Sequence, residues 1–218
     1  MDEKLVAGVA NLFKVDASLS PRREPLPSSE VFRKGYHEVM LCADFPKRHV
    51  ESCRDRDLKS YHQSLLSSGE FMRKNEDKGF IVAMIGPRGT GKTEFATRIS
   101  ASMAQRISVM YCKAMKFFVA LKETYNREVK TTEGEILKRF TQPELLVVDE
   151  LQERSESDWE NRMLTHMIDT RYDRMINTIL ISNLSHDAFQ KSIGDSIYDR
   201  IIETGMVVEC IWPSYRTK

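Results

Sequence analysis

Four cysteines, Cys42, Cys53, Cys112 and Cys210, are scattered through 218 residues, and that scarcity leaves no framework for a disulfide-stapled fold. No apolar run approaches the ~20 residues that cross a bilayer as a helix. The opening MDEKLVAGVANLFKVD starts acidic and has no long apolar stretch, which argues against a secretory signal. An excess of charge of one sign is also missing: 33 Lys and Arg face 32 Asp and Glu, a formal net charge of +1. The chain is therefore not a globally basic nucleic-acid binder, and DNA or RNA contact would need a local basic surface or one assembled from several copies. A reducing cytosol is the expected location, so the chain is read as cytoplasmic. His37, Cys42, His49 and Cys53 could together offer four zinc ligands, but they lack the tight C-x₂₋₄-C spacing of common zinc modules. Packing roles are expected for them instead.

What is present is the balance of a globular protein with a real core, 41% hydrophobic against 30% charged. The length suits one domain plus a short appendage. Leu5, Val6, Val9, Leu12 and Phe13 share one helical stripe, and ASLSPRREPLPSSE after them reads as a linker. Such a helix on an arm could dock a partner or fold back onto its own domain. We expect an N-terminal helix and arm over 1–40 and the main domain over 41–218. A helix is expected within 54–74, where Leu58, Tyr61, Leu65 and Leu66 fall at helical spacing. Beyond it, short apolar runs alternate with helical patterns. GFIVAMIG, ISVMYC, ELLVVDE, NTILISN and MVVECIW are the expected strands, which makes the fold α/β with a parallel five-stranded sheet between helices.

Three strand ends carry chemistry. The run Gly86, Pro87, Arg88, Gly89, Thr90, Gly91, Lys92, Thr93 fits G-x-x-x-x-G-K-[ST], between a buried strand and a helix. In that context the loop's N–H groups wrap phosphate oxygens, Lys92 meets the β- and γ-phosphates, and the Thr93 hydroxyl ligates Mg²⁺. A nucleotide and Mg²⁺ are thus the expected ligands, and ATP is the nucleotide that the resemblance named below implies. LLVVDE places Asp149 at the end of a buried strand, where it would hold Mg²⁺ through water. Glu150 beside it could accept the proton of an attacking water. TILISN ends in Asn183, whose amide could orient that water or touch the γ-phosphate. Arg200, in YDRII, reads from the sequence alone as a helix-face charge.

In this order the segments GPRGTGKT, ELLVVDEL, TRYDRMINTILISNL, SIYDRI and WPSYR resemble an AAA+ P-loop ATPase, and more narrowly the bacterial DnaC-like helicase loaders and their IstB-like relatives. The resemblance runs from about Phe45 to the C-terminus. It implies that Asn183 is the sensor 1 residue and that Arg200 is an arginine finger reaching a neighbouring subunit's ATP. Arg216 would be a sensor 2 arginine. It also implies a helical region in single-stranded DNA contact, with Lys116 and Tyr125 as candidates, whereas Phe117 and Phe118 are expected in the core. The chain stops two residues after Arg216, so the helical lid of larger AAA+ proteins is expected to be absent or vestigial. Gln152 stands where relatives usually have Gly.

The expectation is an assembly-stimulated ATPase that loads a hexameric replicative helicase onto single-stranded DNA and associates with itself through Arg200. An IstB-like ATPase that directs a transposase to target DNA is the nearest alternative. A non-hydrolysing, ATP-gated adaptor is another, which the Asp149-Glu150 pair opposes.

Overall fold

The computed structural model describes residues 37–216, Arg127 excepted, with only the backbone of Arg54. The expected N-terminal stripe and Ser/Pro-rich arm thus lie outside the described residues. At the centre is a parallel sheet of β1 (Ile81–Ile85), β2 (Val109–Lys113), β3 (Leu145–Asp149), β4 (Asn177–Ile181) and β5 (Met206–Glu209), in the order β2-β3-β4-β1-β5. β1, β3 and β4 are buried at every position, which is why they read as unbroken apolar runs.

Side chains alternate along β1 between two cores. Val82 and Met84 pack with Leu65 and Met72 of α3 (Gln63–Lys74) and with Phe95 and Ile99 of α4 (Lys92–Met103). That face also takes Met40 from α1 (His37–Cys42) and Val50 and Cys53 from α2 (Lys47–Asp55). α1 therefore crosses the expected boundary at residue 40 while packing with the main domain. Ile81, Ala83 and Ile85 face the other core. Phe117, Phe118 and Leu121 of α5 (Ala114–Glu123) and Phe140 of α6 (Glu133–Thr141) fill part of it. Leu164 and Ile168 of α7 (Asp158–Asp173), Phe189 of α8 (His186–Ile193), and Ile197 and Ile201 of α9 (Asp195–Thr204) complete it.

Local chemistry sets the helix starts. Thr132 and Glu135 form a reciprocal capping box on α6, and Ser157 caps α7. The helix expected within 54–74 is interrupted. Asp57 accepts the Lys59 N–H at 3.0 Å to start a 3₁₀ turn at Leu58–Ser60, and the His62 ring accepts the Ser64 N–H at 3.2 Å to start α3. These local acceptors compete with a continuous helix, and the buried Tyr61 marks the break.

The chain leaves β1 toward β2 but leaves β4 toward β5, on the opposite side. Neighbouring strands whose connections depart in opposite directions open a crevice at their carboxyl ends, where ligands of such sheets bind.

Candidate functional site

At those carboxyl ends lies a cavity of about 520 Å³. One wall is the phosphate loop, whose backbone shape depends on Gly89 and Gly91, at φ +87° and +86°, in the left-handed region that only glycine enters freely. Both also pack directly beneath the C-terminal segment. A Cβ on Gly89 would overlap Ser214 Oγ, and one on Gly91 would come within 2.9 Å of Tyr215 Cε2. The Tyr215 N–H donates to Gly89 O at 2.9 Å and Trp212 Nε1 donates to Thr90 O at 3.1 Å. Lys92 opens α4 and is buried, its Nζ donating to Gly86 O at 2.6 Å and Pro87 O at 2.8 Å. Burial lowers its pKa. Among the described residues it forms no ion pair with a carboxylate, so a buried cation rests on neutral acceptors. Such a group fits a polyphosphate.

The second wall is the end of β3. Pairing of Lys113 with Asp149 aligns β2 and β3, so Tyr111 also faces the acid. Asp149 Oδ2 accepts the Thr93 hydroxyl at 2.8 Å and the Tyr111 hydroxyl at 2.9 Å, and Oδ1 accepts the Glu150 N–H at 2.7 Å. Burial raises the Asp149 pKa, and these three donors oppose the shift. A hydroxyl and a carboxylate side by side are hard oxygen donors suited to Mg²⁺. Among the described residues no group of three or more His, Cys, Asp or Glu could hold a metal alone. A cation at Thr93 and Asp149 would therefore draw its other ligands from phosphates and water.

Glu150 leaves the strand at φ 57°, ψ 43°, a left-handed conformation that is costly for a residue with a Cβ. Its Oε2 pairs with Lys113 Nζ at 2.8 Å, and this bond raises the Lys113 pKa. Asn183 lines the cavity just past β4, and Arg216 lines it from the C-terminal segment. The structure thus brings together the loop residues, Lys92, Thr93, Asp149, Glu150, Asn183 and Arg216.

Three other expected residues stand apart from the cavity. Arg200 lies on α9, with NH2 3.1 Å from Asp169 Oδ1, NH1 on Ser196, and its guanidinium 5.2 Å from the Tyr172 ring centre. Lys116 pairs with Asp44 at 3.1 Å, and the Tyr125 hydroxyl donates to Glu133 at 2.8 Å. Of the four zinc candidates, Cys53 is buried and donates its thiol to Glu94 O, burial pushing its pKa up to about 12, while Cys42 is exposed. His49 lines the cavity, with its pKa lowered by burial.

Sequence reasoning missed Tyr111, Lys113, Arg48, Arg56 and Tyr215 among the lining residues. A hydroxyl and then an ammonium at alternate positions of an otherwise apolar strand, in VMYCK, were the available signal for the first two. Arg48 lies on α2 and Arg56 is the extended residue just past its end, and no motif points to them.

The sheet order, the loop after its central strand, and the acid pair on β3 define a P-loop nucleotide-binding protein of the AAA+ class. Residues 36–218 match the family model described as IstB-like ATP binding protein. The chain belongs to that family. It is similar to the replicative helicase loader DnaC of Buchnera aphidicola subsp. Baizongia pistaciae, 23% identical over 188 residues, covering 85% of this chain and 74% of that protein. It is also similar to an insertion sequence IS232 ATP-binding protein of Bacillus thuringiensis subsp. berliner, 27% identical over 143 residues, covering 63% of this chain and 56% of that one. The chain thus spans little more than half the length of the second relative. The crystal structure of the DnaC helicase loader superposes with a TM-score of 0.61 at 21% identity, covering 75% of this chain and 99% of that chain, a likeness of fold. No helix among the described residues is long and apolar enough to cross a membrane.

Proposed function

We propose that this chain is a cytoplasmic, Mg²⁺-dependent ATPase that loads a hexameric replicative helicase onto single-stranded DNA. The observation that carries hydrolysis is the bond from Thr93 to Asp149, with Glu150 next in the chain and Asn183 across the same cavity. In this reading Lys92 turns from the loop carbonyls to the β- and γ-phosphates, while the loop N–H groups hold their oxygens. Thr93 and Asp149 would hold Mg²⁺, which would supply positive charge against the phosphates. Glu150, released from Lys113, takes the proton of the attacking water, and Asn183 orients that water. Arg216 acts on the γ-phosphate from its own chain, and Arg200 acts on a neighbour's. The DnaC-named relatives support this client, with residues 1–36, ahead of α1, as the docking arm and Lys116 and Tyr125 on the DNA side.

The IS232 relative favours a second reading, in which the same ATPase serves a transposase. Both are tested with Glu150→Gln, which should bind Mg·ATP and hydrolyse none. The variant is mixed with purified replicative helicase or with transposase, and complexes are sought by size-exclusion chromatography with and without ATP. ATP-dependent co-elution with the helicase, and wild-type turnover stimulated by helicase and single-stranded DNA, are expected. Binding to transposase alone moves the client to transposition. Wild-type turnover at background with every partner present removes the ATPase assignment in favour of an adaptor.

A further inference from the structure

The 3₁₀ turn after Glu150, at Leu151–Glu153, carries a side chain that reaches the far cavity wall. Gln152 Oε1 accepts the Asn183 N–H at 2.9 Å and the Ser182 hydroxyl at 3.3 Å. Its Nε2 donates to Glu153 Oε1 at 3.3 Å, and that carboxylate also holds Arg88 of the phosphate loop at 3.0 Å.

The backbone explains why this bridge matters. β3 and β4 pair as far as Val148 with Leu180. One residue beyond β4, the Ser182 N–H still donates to Met84 O on the β1 side at 3.1 Å. The next N–H, that of Asn183, points to the opposite side, where β3 has already turned away at Glu150. A side-chain amide takes the place of the missing ladder acceptor.

We infer that Gln152 is a positioning residue for Asn183, fixing where its amide meets the terminal phosphate of the nucleotide. This rests on the ATP-binding reading above. Gln152 itself does not line the cavity. It is half-buried in a turn, where water can replace its bonds, so its loss should cost little stability.

The test is a double-mutant cycle of Gln152→Ala and Asn183→Ala, read as the ratio of ATP to ADP affinity in the non-hydrolysing Glu150→Gln background. Each single change is expected to cut that ratio about tenfold, the worth of one hydrogen bond to a charged oxygen. The double variant should fall no further than the worse single, with ADP affinity and Tm unmoved. Gln152→Met keeps the length of the side chain without its acceptor and should match Gln152→Ala within about twofold. Losses that multiply in the double variant, or an unmoved ratio with ATP still bound, overturn the inference alone. A protein that binds no ATP overturns the nucleotide reading together with it.

Discussion

Glu150 and Lys113 show how much of this site is decided by single side chains. The left-handed backbone at Glu150 swings its carboxylate out of the strand and onto Lys113 at 2.8 Å. With one oxygen held by the Lys113 ammonium, this carboxylate is less free to turn toward an attacking water. The pair is partly exposed, with side-chain exposures of 53% and 37%, and so belongs with the weaker ion pairs, worth up to ~1 kcal/mol. Lys113→Met should therefore raise basal ATP turnover by up to about fivefold with KM for ATP unchanged, measured by steady-state phosphate release. A fall in turnover would instead place the Lys113 ammonium on the transferred phosphate. The proposal for Glu150 itself starts from the sequence, since an acidic pair at the end of an apolar strand is legible once a phosphate loop precedes it. Lys113 was not legible as its partner, because the contact depends on the parallel register of two strands 36 residues apart.

Among the elements, the strands were the most legible. Burial on both faces leaves each as a short apolar run, and the structure puts four within the expected segments and carries β2 one residue past its own, to Lys113. α8 was missed because its buried face is little more than Phe189 and Ile193, too small a stripe to stand out as a helical period. α1 was missed because it is only six residues long, and α2 because its apolar residues are few and separated by charges. The C-terminal segment was read for Arg216 alone, yet its larger contribution is mechanical. Trp212 stacks on His62 with ring centres 4.0 Å apart and donates to Thr90 O, and Tyr215 donates its hydroxyl proton to no loop atom but receives the His62 N–H at 2.9 Å. The phosphate loop is thereby clamped between α3's leading residue and the end of the chain. Trp212→Ala should lower Tm by ~3–6 °C, given about 1–2 kcal/mol for a half-buried aromatic and the usual scaling for a chain of this size. KM for ATP should rise together with that loss. An unchanged KM alongside the lower Tm would make the clamp purely structural.

At the scale of the whole molecule, the placement of Arg200 bears on assembly. It is tied to Asp169 and Ser196 and lies against Tyr172, and it does not line its own chain's cavity. A role for it in hydrolysis therefore requires a second copy, which is the arrangement proposed above. An arginine delivered in trans is commonly worth ~10³–10⁵ in rate, so the isolated chain should turn over slowly. Two variants separate the contributions. Arg200→Ala keeps Glu150 and can accept an arginine from a neighbour, whereas Glu150→Gln keeps Arg200 and can supply one. Each alone should remain near background in the presence of DNA and client. Mixed together, they should regain a measurable part of wild-type turnover, because interfaces pairing an intact Glu150 with an intact Arg200 then form. If Arg200→Ala alone shows full stimulated turnover, the ion pair with Asp169 is the whole of its role, and assembly must act on hydrolysis through another group.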